Sequence, residues 1–168
     1  LKQIGLGLLM YAQDYDEKMI RTNVCGPILM ETGYNSGNGT CGAPAPGNYY
    51  HLWQNMIYPY VKSVQLFNCP SSPLSTPFVG QYTGTIDYGL NSYISGLSLA
   101  AFPQVAITPL VIDARAPSGY NSYNVGPTPY SASPAVGGPE ARHLDTMTLV
   151  FADGHVKSVK LDAYTTTA

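Results

Sequence analysis

Asp153-Gly154 stands between two runs of strand-forming residues, "TMTLVFA" (146–152) and "HVKSVKL" (155–161). Such a dipeptide between β-branched and aromatic runs is a strong hairpin signal. The turns that match strand twist need backbone angles that glycine adopts freely. The pattern predicts a C-terminal β-hairpin over 142–162, with strands 146–152 and 155–161 and a two-residue turn at Asp153-Gly154. In that register Ala152 faces His155 and Phe151 faces Val156, while Met147, Leu149 and Phe151 share the apolar face. Val156 and Val159 then point to opposite faces, which a bulge or a glycine-bulge turn accommodates.

The same stretch holds His143, Asp145, Asp153 and His155, so a divalent-metal or acid–base cluster is one reading of it. Strands of seven residues, however, separate the open end of a hairpin from its turn by roughly 20 Å. His143 and Asp153 therefore do not meet within the hairpin. His143 is read as a residue capping backbone groups or packing on tyrosine where the chain enters the sheet. Asp153 is read as a turn residue with Gly154, and His155 as exposed on a strand edge. Asp113, Asp145 and Asp153 are weak candidates for calcium, which needs several oxygen ligands; no other cofactor is expected. No GxSxG, P-loop or HExxH pattern occurs, and the expectation is a protein that is not an enzyme.

Upstream, residues 1–19 read as an amphipathic helix. Ile4, Leu8, Tyr11 and Tyr15 recur at helical spacing, and Leu1, Leu9, Ala12 and Met19 widen the stripe. Gly5 and Gly7 each cost about 1 kcal/mol of helix propensity relative to alanine, which makes sense if a neighbouring backbone packs closely there. The pattern starts without an N-cap, as if in mid-helix, and further residues are expected upstream. Residues 20–50 read as a long surface loop of turn chemistry, with a glycosylation-type triplet at Asn38-Gly39-Thr40. A short helix is expected at 51–57, stopped by Pro59. A short strand is expected within 85–94, and a better one at 107–113 with Ile107, Leu110, Val111 and Ile112. Residues 114–141 return to Pro, Gly, Ser and Tyr; Tyr120, Tyr123 and Tyr130 there are candidates for stacking on sugars.

A length of 168 residues favours one domain, and a net charge of −2 offers no basic surplus for nucleic acid. The three cysteines, Cys25, Cys41 and Cys69, leave at least one without a partner in this chain. Their spacing does not suggest zinc. In an oxidising compartment Cys25 and Cys41 are the favoured pair, closing a Gly/Pro/Asn-rich loop for roughly 2–4 kcal/mol; three buried thiols are the alternative.

Four blocks occur in order: "LKQIGLGLLMYAQDYDEKM", "YPYVKSVQLFNCPSSP", "DYGLNSYISG" and "ARHLDTMTLVFADGHVKSVKL". Together they resemble bacterial pilin-like proteins that carry a prepilin-type N-terminal segment and a C-terminal His-x9-Asp-Gly motif. Here His143 and Asp153-Gly154 have that spacing. The resemblance covers somewhat under half the chain. It implies an α+β fold, a single pilin-like domain in which an N-terminal amphipathic helix packs on a small antiparallel sheet with long irregular loops. Residues 1–19 would be the C-terminal half of the pilin helix, 20–141 a loop-rich middle with a short helix and strands, and 142–162 the terminal hairpin. It also implies a structural subunit of a type IV pilus or type II secretion pseudopilus, matured to a methylated N-terminus. Such a subunit is extracellular or in the cell envelope, and it touches the membrane only through an apolar segment ahead of Leu1. Its partners would be further copies of itself and the assembly machinery. Related sequences often carry a cysteine just before the "LKQIG" block, which would partner the odd cysteine. Calcium sites of major pseudopilins do not map onto residues here. The alternative is a secreted surface- or carbohydrate-binding adhesin module using the Tyr-rich loops.

Overall fold

The computed structural model describes residues 1–21, 23–27, 48–72, 87–114, 122–123 and 139–166, with only the backbone described for 23–27, 48–52, 92, 122–123 and 164–166. The fold is α+β. Helix α1 (Lys2–Asp14) is followed by β1 (Asn23–Pro27), β2 (Asn48–Leu52), α2 (Trp53–Val61), β3 (Tyr88–Asn91), β4 (Pro109–Asp113), β5 (Ser122–Tyr123), β6 (Thr146–Phe151), β7 (Val156–Lys160) and α3 (Leu161–Thr166). The main sheet runs β5-β3-β4-β6-β7. Its four strands β3, β4, β6 and β7 are antiparallel, and β5 adds to β3 in parallel. β1 and β2 form a separate antiparallel pair, so the segment read as a loop over 20–50 holds two paired strands.

α1 packs between the sheet and α2. Ile4, Leu8 and Ala12 are fully buried and join Trp53, Ile57, Leu90, Val111 and Val150 in one core cluster. A Cβ on Gly5 would lie 2.4 Å from Val150 Cγ1, and one on Gly7 2.7 Å from Val61 Cγ1. The glycines are therefore spaces for valine side chains on β6 and α2, rather than for a neighbouring backbone. On the other face of the sheet Ile112, Ala114, Met147 and Leu149 form a second cluster, edged by Phe151, Val159 and Leu161. Met147, Leu149 and Phe151 thus share a face, while Val150 points to α1.

Several element boundaries differ from expectation. α1 ends at Asp14, not at 19, because Asp16 and Glu17 turn into the left-handed region (φ 53° and 56°) and the Glu17 N–H bonds to the Ala12 carbonyl at 2.8 Å. The turn folds the chain back so that Met19 and Ile20 enter the core, with Met19 N–H donating to Leu97 at 2.7 Å. α2 begins at Trp53, after β2 has taken residues 51 and 52, and it runs through Pro59 to Val61. Pro59 cannot donate to its own turn, but that turn is held by α1. Tyr60 donates to Asp14 Oδ2 at 2.8 Å and meets Tyr11 edge-on, and Val61 fills the space at Gly7. β4 begins at Pro109, and Ile107 sits exposed on the preceding turn rather than in the strand.

The terminal hairpin forms with a loop one residue longer than expected. Val150 pairs with Val156, and Phe151 N–H bonds to the His155 carbonyl at 2.9 Å. Ala152, Asp153 and Gly154 therefore make a three-residue loop. Gly154 alone among them is left-handed (φ 84°), the geometry of a type I turn closed by a glycine bulge. α3 claims Leu161, so the second strand ends at Lys160.

Candidate functional site

β6 holds the two ends of the His-x9-Asp-Gly motif apart. His143 precedes it, Asp153-Gly154 follow it, and six strand residues span about 20 Å. At the far end Asp153 Oδ1 accepts from the His155 backbone N–H at 3.0 Å and lies 2.6 Å from His155 Nδ1. Those bonds from His155 hold the Asp153 carboxyl below its ordinary pKa. The His155 ring stacks flat on Phe151, centroids 4.4 Å apart, and its side chain stays 42% exposed just ahead of the edge strand β7, as expected.

At the near end the chain makes a tight two-residue turn that the sequence reading did not contain. His143 and Thr146 exchange backbone hydrogen bonds of 3.1 and 3.0 Å, and Leu144 and Asp145 both take positive φ (51° and 61°). This is a type I′ geometry. Asp tolerates it, but a leucine there costs roughly 1–2 kcal/mol, and Leu144 recovers nothing by packing, being 97% exposed. The turn directs His143 inward. Its Nε2 lies 3.5 Å from Cys69 Sγ and 3.6 Å from Asp113 Oδ2.

The surroundings of that contact are unusually polar for a core. Cys69 is 2% exposed, and its backbone N–H donates to Asp87 Oδ2 at 2.7 Å. Burial, and next the nearby sulfur, push the Tyr88 hydroxyl pKa up, which keeps it a donor. Arg142 is buried and tied on every side. It donates to Glu140 Oε2 at 2.7 Å, to the Asp87 carbonyl at 3.0 Å and to the Ala114 carbonyl, with Asp87 Oδ1 at 3.8 Å. Asp113 Oδ2 accepts from Thr148 N–H at 2.7 Å, whereas Oδ1 is buried with no partner. Burial raises the Asp113 pKa, against the Thr148 bond and the charges of Arg142 and His143.

The calcium candidates are not gathered. Asp145 and Asp153 stand at opposite ends of β6, and Asp113 faces Thr148 and His143. Among the described residues no group of three or more His, Cys, Asp or Glu is arranged to hold a metal ion. Cys69 is a free thiol. The Cys25 side chain and all of Cys41 lie outside the described residues, as do Tyr120, Tyr130, the Tyr123 side chain and the Asn38 triplet. Sequence reasoning missed the convergence of Cys69, Tyr88, Asp113, Arg142 and His143. Only Arg142 and His143 are neighbours in the chain; β3 brings Tyr88 and β4 brings Asp113 to them, while Cys69 comes from the segment after Phe67.

Comparison with protein-family models, with curated proteins and with solved structures finds no significant match to this chain. Among the described residues no helix is long and apolar enough to cross a membrane.

Proposed function

We propose that the chain is a non-enzymatic structural subunit of a pilin-like filament, of the type IV pilus or type II secretion pseudopilus class, working in the cell envelope or outside the cell. The observation that carries this reading is the two-sided apolar character of α1. Ile4, Leu8 and Ala12 face the core, and on the opposite side Leu6 and Met10 are 46% and 49% exposed one helical turn apart. A helix needs one apolar stripe to pack on its own domain. A second, unpartnered stripe supports packing against copies of the same helix. In this reading the Cys69–His143 cluster and the hairpin serve the domain that the helix carries, and the assembly machinery is the further partner.

The test expresses the whole reading frame in a host with a pilus or secretion assembly system and images sheared filaments by electron microscopy. Leu6→Glu with Met10→Glu is expected to abolish filaments while the melting temperature of residues 1–168 stays within about 2 °C, because exposed positions contribute little to folding. Filaments of normal length from the double variant would remove the reading.

A further inference from the structure

We infer that Gln54, Asn55 and Met56, the stretch of α2 between Trp53 and Ile57, form a conformational switch that opens while the rest of the fold stays closed. The inference does not rest on the filament reading. It starts from two buried amides. Gln54 is 1% exposed and Asn55 is 2% exposed. The Nε2 and Oε1 of Gln54 and the Nδ2 and Oδ1 of Asn55 all lack a hydrogen-bond partner among the described residues. Buried polar atoms are ordinarily paired, and one left unpaired forfeits its hydration with nothing in exchange. Here four such atoms stand on two consecutive residues. α2 itself, "WQNMIYPYV", carries no charged side chain that could turn to meet them.

The backbone is weak at the same place. A helical N–H at position 59 would donate to the Asn55 carbonyl, but Pro59 has none, and its ring crowds that carbonyl. The proline also disfavours helical angles at Tyr58 before it. Ahead of the helix the sequence supplies Leu52 rather than a capping Ser, Thr, Asp or Asn. The two flanks, by contrast, are fixed. Trp53 is fully buried and meets Phe67 edge-on, with ring centroids 5.7 Å apart. Ile57 is fully buried beside Gly7 of α1, and Tyr60 and Val61 hold the last turn on the same helix. Unwinding between these anchors gives up a few helical bonds and the partial burial of Met56 on the core. In return both amides reach water. Opening thus exchanges a buried turn for a surface loop with two neutral amides, each a donor and an acceptor, and closing withdraws them from any hydrogen-bonding partner.

The experiment is native-state hydrogen exchange on residues 1–168, followed by NMR at increasing urea below the unfolding transition. The Ile57, Tyr58 and Tyr60 amides report the stretch, because in an α-helix they donate to residues 53, 54 and 56. They are expected to exchange at least about 100-fold faster than those of Leu8 and Ala12 in α1, at rates that low urea does not change. Pro59→Ala, at an exposed position, restores the missing bond to Asn55 and is expected to slow Tyr58 exchange by about tenfold. Gln54→Leu with Asn55→Leu removes the unpaired atoms and is expected to slow it at least as much. Two results would overturn the inference. One is exchange of the three α2 amides at the rate and urea dependence of Leu8 and Ala12, which marks a turn that opens only when the whole domain unfolds. The other is Tyr58 exchange left unchanged or quickened by both variants.

Discussion

Replacing Gly5 with alanine tests the docking of α1 on the sheet. The added Cβ would sit 2.4 Å from Val150 Cγ1, against an ordinary carbon–carbon contact of about 3.5–4.0 Å, so one partner must move by more than about 1 Å. Val150 is fully buried on a central strand, and its β-branched side chain is stiff at χ1. Overpacking of this kind costs about 1–3 kcal/mol, and a contact this short belongs in the upper half of that range. Alanine returns about 1 kcal/mol of helix propensity. The net expectation is a loss of about 1–2 kcal/mol, read by urea unfolding, or a fall in melting temperature of about 2–8 °C for a chain of this size. In a Val150→Ala background the obstruction is gone, and Gly5→Ala should stabilise by about 1 kcal/mol. The coupling in the double-mutant cycle is therefore about 2–3 kcal/mol. If Gly5→Ala had the same effect in both backgrounds, α1 would not lie against β6 as described.

Gly154→Val should destabilise by more than about 1 kcal/mol, through its φ of 84° and the approach of Leu9 Cδ1 to 3.0 Å from any Cβ there; thermal melting reads it. Leu144→Asn should stabilise by about 0.5–1 kcal/mol, since asparagine accepts the left-handed turn and no packing is lost; a drop in stability would show that Leu144 makes a contact in solution. Asp113→Asn should raise the melting temperature at pH 7 and flatten its pH dependence. With a folded pKa raised by burial, the carboxyl binds more protons folded than unfolded above about pH 4, so its contribution falls as pH rises through the folded value. Melting curves from pH 4 to 8 that superimpose for parent and variant would refute this. Asp153 acts in the opposite sense. Its pKa is lowered by His155, so its contribution is present above about pH 4 and lost as pH falls through the folded value. Asp153→Asn should narrow the acid-side loss of stability.

How much was legible in the sequence can be traced residue by residue. Local rules were enough wherever the deciding neighbours are close in the chain. Helical spacing over Ile4, Leu8 and Ala12 marks the buried face of α1, and alternation over Met147, Leu149 and Phe151 marks one face of β6. Asp153-Gly154 places the hairpin, because the need for positive φ at Gly154 is met by the residue itself. The register was off by one because Asp-Gly serves both a two-residue turn and a three-residue glycine-bulge loop. The choice between them depends on seating Val150 at Gly5 and Val156 opposite Val150, which is a tertiary demand.

The remaining features were decided by packing between distant segments. Asp16 and Glu17 have no glycine to announce a helix end, and the chain leaves α1 there because burying Met19 and Ile20 outweighs two unfavourable backbone angles. Pro59 should end α2 by its own chemistry, yet contacts of Tyr60 and Val61 with α1 carry the helix past it. The polar cluster shows the same division most plainly. In the sequence Cys69 is the odd cysteine, Asp113 the end of a strand and His143 one end of a spacing motif. The sheet places β3, β4 and β6 side by side, and the Leu144-Asp145 turn points the imidazole inward. Residue types and periodicity are written in the chain, but Asp113 and His143, 30 residues apart, meet only because the antiparallel sheet brings their strand ends together, and Cys69 reaches His143 across 74 residues from the segment after Phe67.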